Sequence, residues 1–159
     1  MVGSDIRAEG LPTLSCDRPW TRRLLDGFAR CAPLADRPLA YAPVILVTAT
    51  DKAGAFAATH AAAADMESYG IGEAAGARGL PFAALRVIAD AADETLPEAA
   101  LHAMSADGFI NLPETIFRAL SRPQDLGRLM RLGRRTAYAT RRMGAAARLG
   151  MPLSFFAPH

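Results

Sequence analysis

Hydrophobic residues in the first ninety positions alternate between short continuous runs and helical repeats. The continuous runs predict buried strands at 44–48, 62–66 and 82–88. Apolar residues at helical spacing predict helices over 21–31, 52–60 and 68–78. Because strands alternate with helices, we expect a three-layer α/β/α fold with a central, mostly parallel (mixed) sheet and right-handed crossovers.

Proline and glycine mark the boundaries of these elements. Residues 1–20 predict a strand fragment followed by a loop, and a linker punctuated by Pro33, Pro38 and Pro43 follows the first helix. Thr50 and Asp51 predict the N-cap of the second helix.

Three glycines interrupt the predicted helix over 68–78, and Gly79 follows it as a stop signal. Each glycine costs roughly 1 kcal/mol of helix propensity relative to alanine. We therefore expect this helix to approach the sheet closely at Gly70, Gly72 and Gly76.

The pattern changes to consecutive helices after residue 93. Short helices are predicted over 96–104 and 112–120, each with a proline in its first turn, and a longer helix over 124–149. We treat residues 1–159 as a single domain, since 51% of them are hydrophobic and can form one core.

Composition excludes several classes of protein. The net charge of +2 does not indicate a nucleic-acid binder, and Cys16 and Cys31 are too few for a disulfide scaffold or a zinc site. The start lacks the profile of a secretion signal, and no apolar run is long enough to cross a bilayer. The composition therefore predicts a cytoplasmic protein without a bound metal.

Glu67 and Asp90 each follow a predicted strand. Ligands of open α/β sheets bind at the carboxyl ends of the strands, where two carboxylates can serve acid/base chemistry and hold a sugar. Each residue taken alone also has a structural explanation. Asp90 can cap the turn before Thr95, Glu67 can be a first-turn acid favoured by the helix dipole, and Met66 can be a core residue.

A resemblance favours the functional interpretation. Asp65-Met66-Glu67-Ser68, then 79–82 (GLPF), then 85–93 (LRVIADAAD) resemble the C-terminal signature of the nucleoside phosphorylase/nucleosidase family. That family includes purine nucleoside phosphorylases and methylthioadenosine/S-adenosylhomocysteine nucleosidases. About thirty residues match in the expected order.

The resemblance implies a role for each residue. Asp90 would be the general acid that protonates the purine ring at N7, Glu67 would accept hydrogen bonds from the ribose hydroxyls, and Met66 would pack against the sugar. It implies no metal or organic cofactor, with inorganic phosphate as co-substrate of a phosphorylase. Arg86 has an even spacing from Asp90 on the predicted strand, and we expect it to form a structural ion pair with an acid.

Two departures from the family pattern refine the expectation. Ala89 stands where several family members have serine. The pattern is closest to the hopanoid-associated phosphorylase branch. Members of that branch are thought to remove adenine from adenosylhopane. Residues 1–60 contain neither the family's first catalytic Glu nor its Gly-rich loops. The chain thus resembles the C-terminal two-thirds of the fold, a truncated phosphorylase-like fold with C-terminal helices.

The resulting prediction is N-glycosidic cleavage of a purine nucleoside, by phosphate or water, with adenosylhopane as the favoured substrate and a homo-oligomer as the expected assembly. The rival prediction is a non-catalytic remnant that binds a nucleoside or acts as an interaction subunit. A third interpretation is a basic module that binds a lipid surface.

The last predicted helix is rich in arginine. A helical wheel places four arginines on one side, namely Arg128, Arg131, Arg135 and Arg142. It places small and apolar residues on the other side, namely Leu126, Leu129, Gly133 and Ala137. The ordinary interpretation is an amphipathic helix that covers the sheet. The sharper hypothesis is peripheral contact with anionic lipid at the inner membrane surface.

Overall fold

The computed structural model describes residues 1–29, 35–97 and 123–154. Four strands lie within these residues: β1 (Val2–Arg7), β2 (Leu14–Ser15), β3 (Asp36–Tyr41) and β4 (Ala63–Asp65). Four helices accompany them: α1 (Arg18–Phe28), α2 (Ala49–Thr59), α3 (Ser68–Gly76) and α4 (Pro123–Ser154).

The strands form one mixed sheet in the order β2-β1-β3-β4. β1, β3 and β4 are parallel to one another, and β2 is antiparallel to β1. Helices cover both sides of this sheet, which confirms the predicted α/β fold class.

Two apolar clusters fix α3 and α1 on the sheet. The first contains Ile6 and Leu39 of the sheet and Tyr69 of α3. The second contains Val2 of β1 with α1 residues, including Leu24. Burial of these side chains stabilises the domain, since each fully buried large aliphatic contributes roughly 1.5–3 kcal/mol.

An irregularity in the register of β1 distributes its side chains between the two clusters. The pairing of β1 with β3 shifts between Gly3 and Ile6. A bulge of this kind reverses the alternation of side chains beyond it, so Val2 joins the α1 cluster and Ile6 joins the α3 cluster. Pro38 of β3 lies opposite the irregularity, where its missing N–H breaks no regular ladder.

The predicted strand at 44–48 is wrong. Those residues are irregular, and the side chain of Val44 is 64% exposed. The strand lies earlier, at β3, in the segment whose prolines predict a linker. The core position Leu39 is fully buried in β3, so packing between β1 and β4 outweighs the proline signal.

The predicted strand at 82–88 is wrong, since this segment contains one isolated bridge residue, Leu85, and no regular strand. Its residues run antiparallel to the first residues of β1: Gly3 N donates to Ala84 O (2.8 Å) and Arg86 N donates to Met1 O (2.9 Å). Its one ladder contact is the isolated bridge between Val2 and Leu85. It therefore does not close a parallel βαβ unit with β4 and α3.

The helix predictions agree better with the structure. α3 and β4 lie inside their predicted ranges. α1 begins earlier than predicted because the Asp17 side chain accepts from Trp20 N (2.7 Å) and caps it. α2 begins at Ala49, since Thr48 rather than Thr50 forms the N-cap, in a capping box with Asp51.

The glycine prediction holds at Gly72 alone. A Cβ there would lie 3.2 Å from the Phe82 ring, whereas Gly70 and Gly76 have nothing within 4 Å. Gly79 adopts a positive φ of 63° in the turn after α3, as its role of stop residue requires.

α4 contains the predicted helix over 124–149 and packs against α1. The predicted apolar side is partly wrong. Gly133 and Ala137 are exposed, while Leu129 and Leu132 are half-buried and Ala139 is buried. Residues as small as Gly133 and Ala137 contribute little hydrophobic driving force and do not decide which side packs. The predicted helix at 112–120 and nearly all of that at 96–104 lie outside the described residues.

Candidate active site

A groove of about 790 Å³ runs along β4 and the end of β3. Its other walls are formed by α2 and by the segment 86–92. Met66 and Asp90 both line this groove, so the structure brings two of the three predicted site residues to one cavity. Glu67 follows Met66 directly but is absent from the groove wall, and its side chain is 62% exposed.

Asp65 organises the turn between β4 and α3. Its side chain is only 7% exposed and accepts from the backbone N–H groups of Glu67 (3.2 Å) and Ser68 (2.9 Å). The Ser68 hydroxyl donates to its second oxygen. These bonds satisfy N–H groups at the start of α3, where Glu67, the N-cap by position, makes no side-chain cap. Asp65 therefore fixes the backbone that presents Met66 and Glu67.

Arg86 joins this turn to the opposite wall of the groove. Its Nε lies 2.6 Å from the Asp65 carboxylate, and its Nη2 donates to Glu67 (3.2 Å) and to the Ser68 hydroxyl (3.1 Å). Arg86 thus forms the ion pair expected of it. Its partners are the acids of the β4–α3 turn rather than Asp90.

Asp90 has a different partner. The Lys52 ammonium lies 2.5 Å from Asp90 Oδ2, and it also donates to the backbone carbonyls of Ala91 (2.8 Å) and Glu94 (2.7 Å). The Lys52 side chain is 11% exposed and that of Asp90 is 31% exposed. Asp90 is therefore held on one side and open to the groove and solvent on the other.

Apolar side chains form much of the remaining wall. Large hydrophobic residues that line the groove and remain exposed are Val44, Ile45, Phe56, Met66 and Ile88. A wall of this kind favours a ligand with an apolar part, because covering these side chains removes apolar surface from water.

Sequence reasoning did not identify Lys52 or Asp65 as site residues. Lys52 is the single lysine among 18 basic residues, which is a weak signal for a specific role. Asp65 stands three residues before Ser68 at a strand end, a spacing typical of an acid that caps a following helix. Both signals become persuasive only once the contacts with Asp90 and Arg86 are known.

Within 1–29, 35–97 and 123–154, no three histidine, cysteine, aspartate or glutamate residues are grouped closely enough to hold a metal ion. Over the same residues, none of the helices has the length and apolarity needed to cross a membrane.

The fold and the groove define an α/β domain with a ligand cavity bordered by a lysine-paired carboxylate and an arginine-paired turn. The family model described as the phosphorylase superfamily matches residues 6–121. Since the match covers more than half of the chain, the chain belongs to the phosphorylase superfamily. Membership supports an enzyme of the nucleoside phosphorylase or nucleosidase class. A comparison with curated proteins finds no significant match.

Proposed function

We propose that this chain cleaves the N-glycosidic bond of a purine nucleoside bound in the groove between β4 and the segment 86–92. The observation that carries the proposal is that Met66 and Asp90 line one cavity in a member of the phosphorylase superfamily. Phosphate or water takes the sugar, and inorganic phosphate is the co-substrate in the first case. The reaction as proposed uses no metal or organic cofactor.

Asp90 acts as general acid in this proposal. It takes a proton from solvent, to which it is open, and donates it to N7 of the purine as the glycosidic bond breaks. The bond electrons leave with the base, which departs neutral rather than as a poorly stabilised anion. Positioned acid catalysis of this kind contributes roughly 10²–10⁴-fold.

Glu67 and Met66 hold the ribose. The exposed Glu67 carboxylate has acceptor capacity beyond its 3.2 Å bond to Arg86, so it can also accept from the sugar hydroxyls. Its negative charge near the sugar favours the positive charge that develops there in the transition state. The thioether of Met66 supplies an apolar contact from the groove wall.

The favoured substrate is adenosylhopane, an adenosine that carries a large apolar group. The exposed apolar side chains of the groove support this choice, since a free nucleoside would leave most of them in water. We therefore expect adenosine with an apolar tail to have a higher kcat/KM than adenosine itself.

Adenine release by the purified chain tests the acid assignment. Asp90→Asn keeps the shape of the side chain but removes the transferable proton, and it should lower kcat by about 10²–10⁴-fold. Asp93→Asn is the matched control, because Asp93 lies three residues further on and is exposed. Equal rates for wild type and Asp90→Asn would refute the assignment.

A second candidate function is nucleoside binding without turnover. The observation that favours it is the 2.5 Å contact of Asp90 Oδ2 with Lys52, which engages one oxygen of the proposed acid in an ion pair. Calorimetric titration with adenosine beside the release assay separates the two. Binding without adenine release supports the non-catalytic function, and release by this chain excludes it.

Family resemblance also leads us to propose a homo-oligomer. Size-exclusion chromatography with light scattering tests this, and a monomer at assay concentration would contradict it.

A further inference from the structure

The Lys52 ammonium group donates three hydrogen bonds to one short segment, residues 90–94. An ammonium group carries three N–H donors, and the three acceptors within 2.8 Å of Nζ are the Asp90 carboxylate and the carbonyls of Ala91 and Glu94. The side chain is almost buried, so few water molecules compete for these bonds. The contact is therefore a nearly buried, fully hydrogen-bonded ion pair rather than a surface ion pair.

The helix turn that carries Lys52 is rigid. Lys52 lies in the first turn of α2, which the capping box of Thr48 and Asp51 fixes: Thr48 N donates to the Asp51 carboxylate (2.8 Å), and Asp51 N donates to the Thr48 hydroxyl (3.1 Å). A side chain that projects from a capped helix turn holds its partner more accurately than one from a free loop.

The same segment is held from a second side. The Glu94 side chain accepts from Ala91 N (3.3 Å) and contacts the Arg135 guanidinium of α4. Residues 90–94 are therefore fixed between α2 and α4, with Lys52 as the contact that reaches Asp90 directly.

We propose that Lys52 is the positioning residue that holds Asp90 at the groove. The inference rests on the proposed function of Asp90, and Lys52 itself touches no reacting atom. Its two carbonyl contacts set the backbone at residues 91 and 94, and its contact with Oδ2 leaves the other carboxylate oxygen, Oδ1, to face the base. A displacement of the acid of about 1 Å would cost about 10²-fold in rate.

The geometry requires lysine rather than arginine. Three acceptors surround one nitrogen atom, and an ammonium directs three donors from that atom, whereas guanidinium donors lie in one plane on separate nitrogens. Lys52→Arg should therefore recover the charge and only part of the positioning.

The first test is the division between kcat and KM for adenine release. Lys52→Met should lower kcat by about 10–100-fold and change KM less than about threefold, because the sugar and apolar contacts are made elsewhere. Lys52→Arg should regain part of the lost kcat. Arg78→Met is the matched control, since among the described residues exposed Arg78 donates only to the Ala74 carbonyl of its own helix, and it should behave as wild type. An unchanged kcat in Lys52→Met would overturn the inference.

A second test does not depend on turnover. Because the chain has one lysine, ¹⁵N-lysine labelling gives a single side-chain ammonium signal. That signal should be visible at neutral pH in the wild type, owing to slow exchange of its bonded protons, and should shift or broaden in Asp90→Asn but not in Asp93→Asn. If the ammonium signal does not change in Asp90→Asn, the inference is overturned, whatever the rate of adenine release. A wild type that releases no adenine while its signal responds to Asp90→Asn overturns the proposed function instead.

Discussion

The Arg86 guanidinium lies 2.6 Å from the almost buried Asp65 carboxylate, so two segments 21 positions apart in sequence are joined by one ion pair. Arg86 continues past Asp65 to the exposed Glu67. The two acids of the turn thus differ in role: Asp65 anchors the arginine, and Glu67 remains accessible to a ligand. This division explains how an exposed glutamate can keep a defined position beside the groove.

Removal of Asp65 should destabilise the domain. Asp65→Ala deletes a helix cap and leaves Arg86 without its buried partner. We therefore expect a loss of about 2–3 kcal/mol in the free energy of unfolding. This loss is below the range for fully buried pairs because Arg86 is partly exposed. Urea denaturation measures this. Asp26→Ala removes one partner of the exposed pair with Arg22 and should change stability by less than about 0.5 kcal/mol. Equal effects of the two variants would contradict the anchoring role.

Local signals predicted the part of the site that is local in sequence. The strand before Met66, the helix after Glu67 and the stop at Gly79 depend on neighbouring residues, and they lie where periodicity and glycine signals placed them.

The long-range part was not predictable in the same way. β3 contains Pro38 and lacks a continuous apolar run, and it becomes a strand because β1 and β4 pair with it from both sides. The contact of Lys52 with Asp90 joins residues 38 positions apart, and no periodicity or spacing carries that information.

Gly72 allows the close approach of α3 to its neighbours. A Cβ at this position would lie 3.2 Å from Phe82 and 3.3 Å from Leu14, tighter than ordinary packing. Gly72→Ala should lower stability by about 1 kcal/mol, because overpacking outweighs the gain in helix propensity. Gly70→Ala, with open space around it, should raise stability by about 0.5–1 kcal/mol. Thermal or urea unfolding of both variants checks the prediction, which fails if the two changes have the same sign.

Burial of Cys16 makes its thiol unreactive. It also makes the contribution of this thiol to the free energy of unfolding depend on pH. Desolvation raises the pKa of Cys16 from 9.0 to about 11, helped by the negative charges of Asp5 and Asp36. In a Cys31→Ser background, alkylation by iodoacetamide at pH 8 should be about 100-fold slower in the folded chain than in urea, since the thiolate is the reacting form.

The sign of the stability effect follows from the direction of this shift. The unfolded thiol ionises near its ordinary value of 9.0, while the folded thiol stays neutral until about 11. Its stabilising contribution is therefore complete below pH 9 and is lost as pH rises from 9 to 11. The free energy of unfolding of Cys16→Ala should therefore fall less steeply than that of the wild type over that interval. Parallel curves for the two proteins, measured by urea denaturation, would contradict the assignment.

α4 presents basic and apolar side chains together on its exposed surface, which supports our proposal of contact with anionic lipid. Met130 and Tyr138 are exposed large hydrophobics, Arg131 and Arg142 are exposed basic residues, and the Arg142 guanidinium lies 5.0 Å from the centre of the Tyr138 ring. Arg135 differs, because its guanidinium contacts Glu94. The side chain of Arg128 is outside the described part of the structure.

Vesicle binding tests this surface. The wild type should sediment with vesicles containing phosphatidylserine at low salt, and should not sediment with neutral phosphatidylcholine vesicles. A basic residue near an anionic surface contributes about 1 kcal/mol, so the double change Arg131→Ala with Arg142→Ala should weaken binding about 30-fold. The double change Arg22→Ala with Arg23→Ala removes the same charge from exposed positions of α1, outside the proposed lipid surface, and should weaken binding less than the double change in α4. Equal partitioning of the wild type to both kinds of vesicle would exclude lipid contact by this helix.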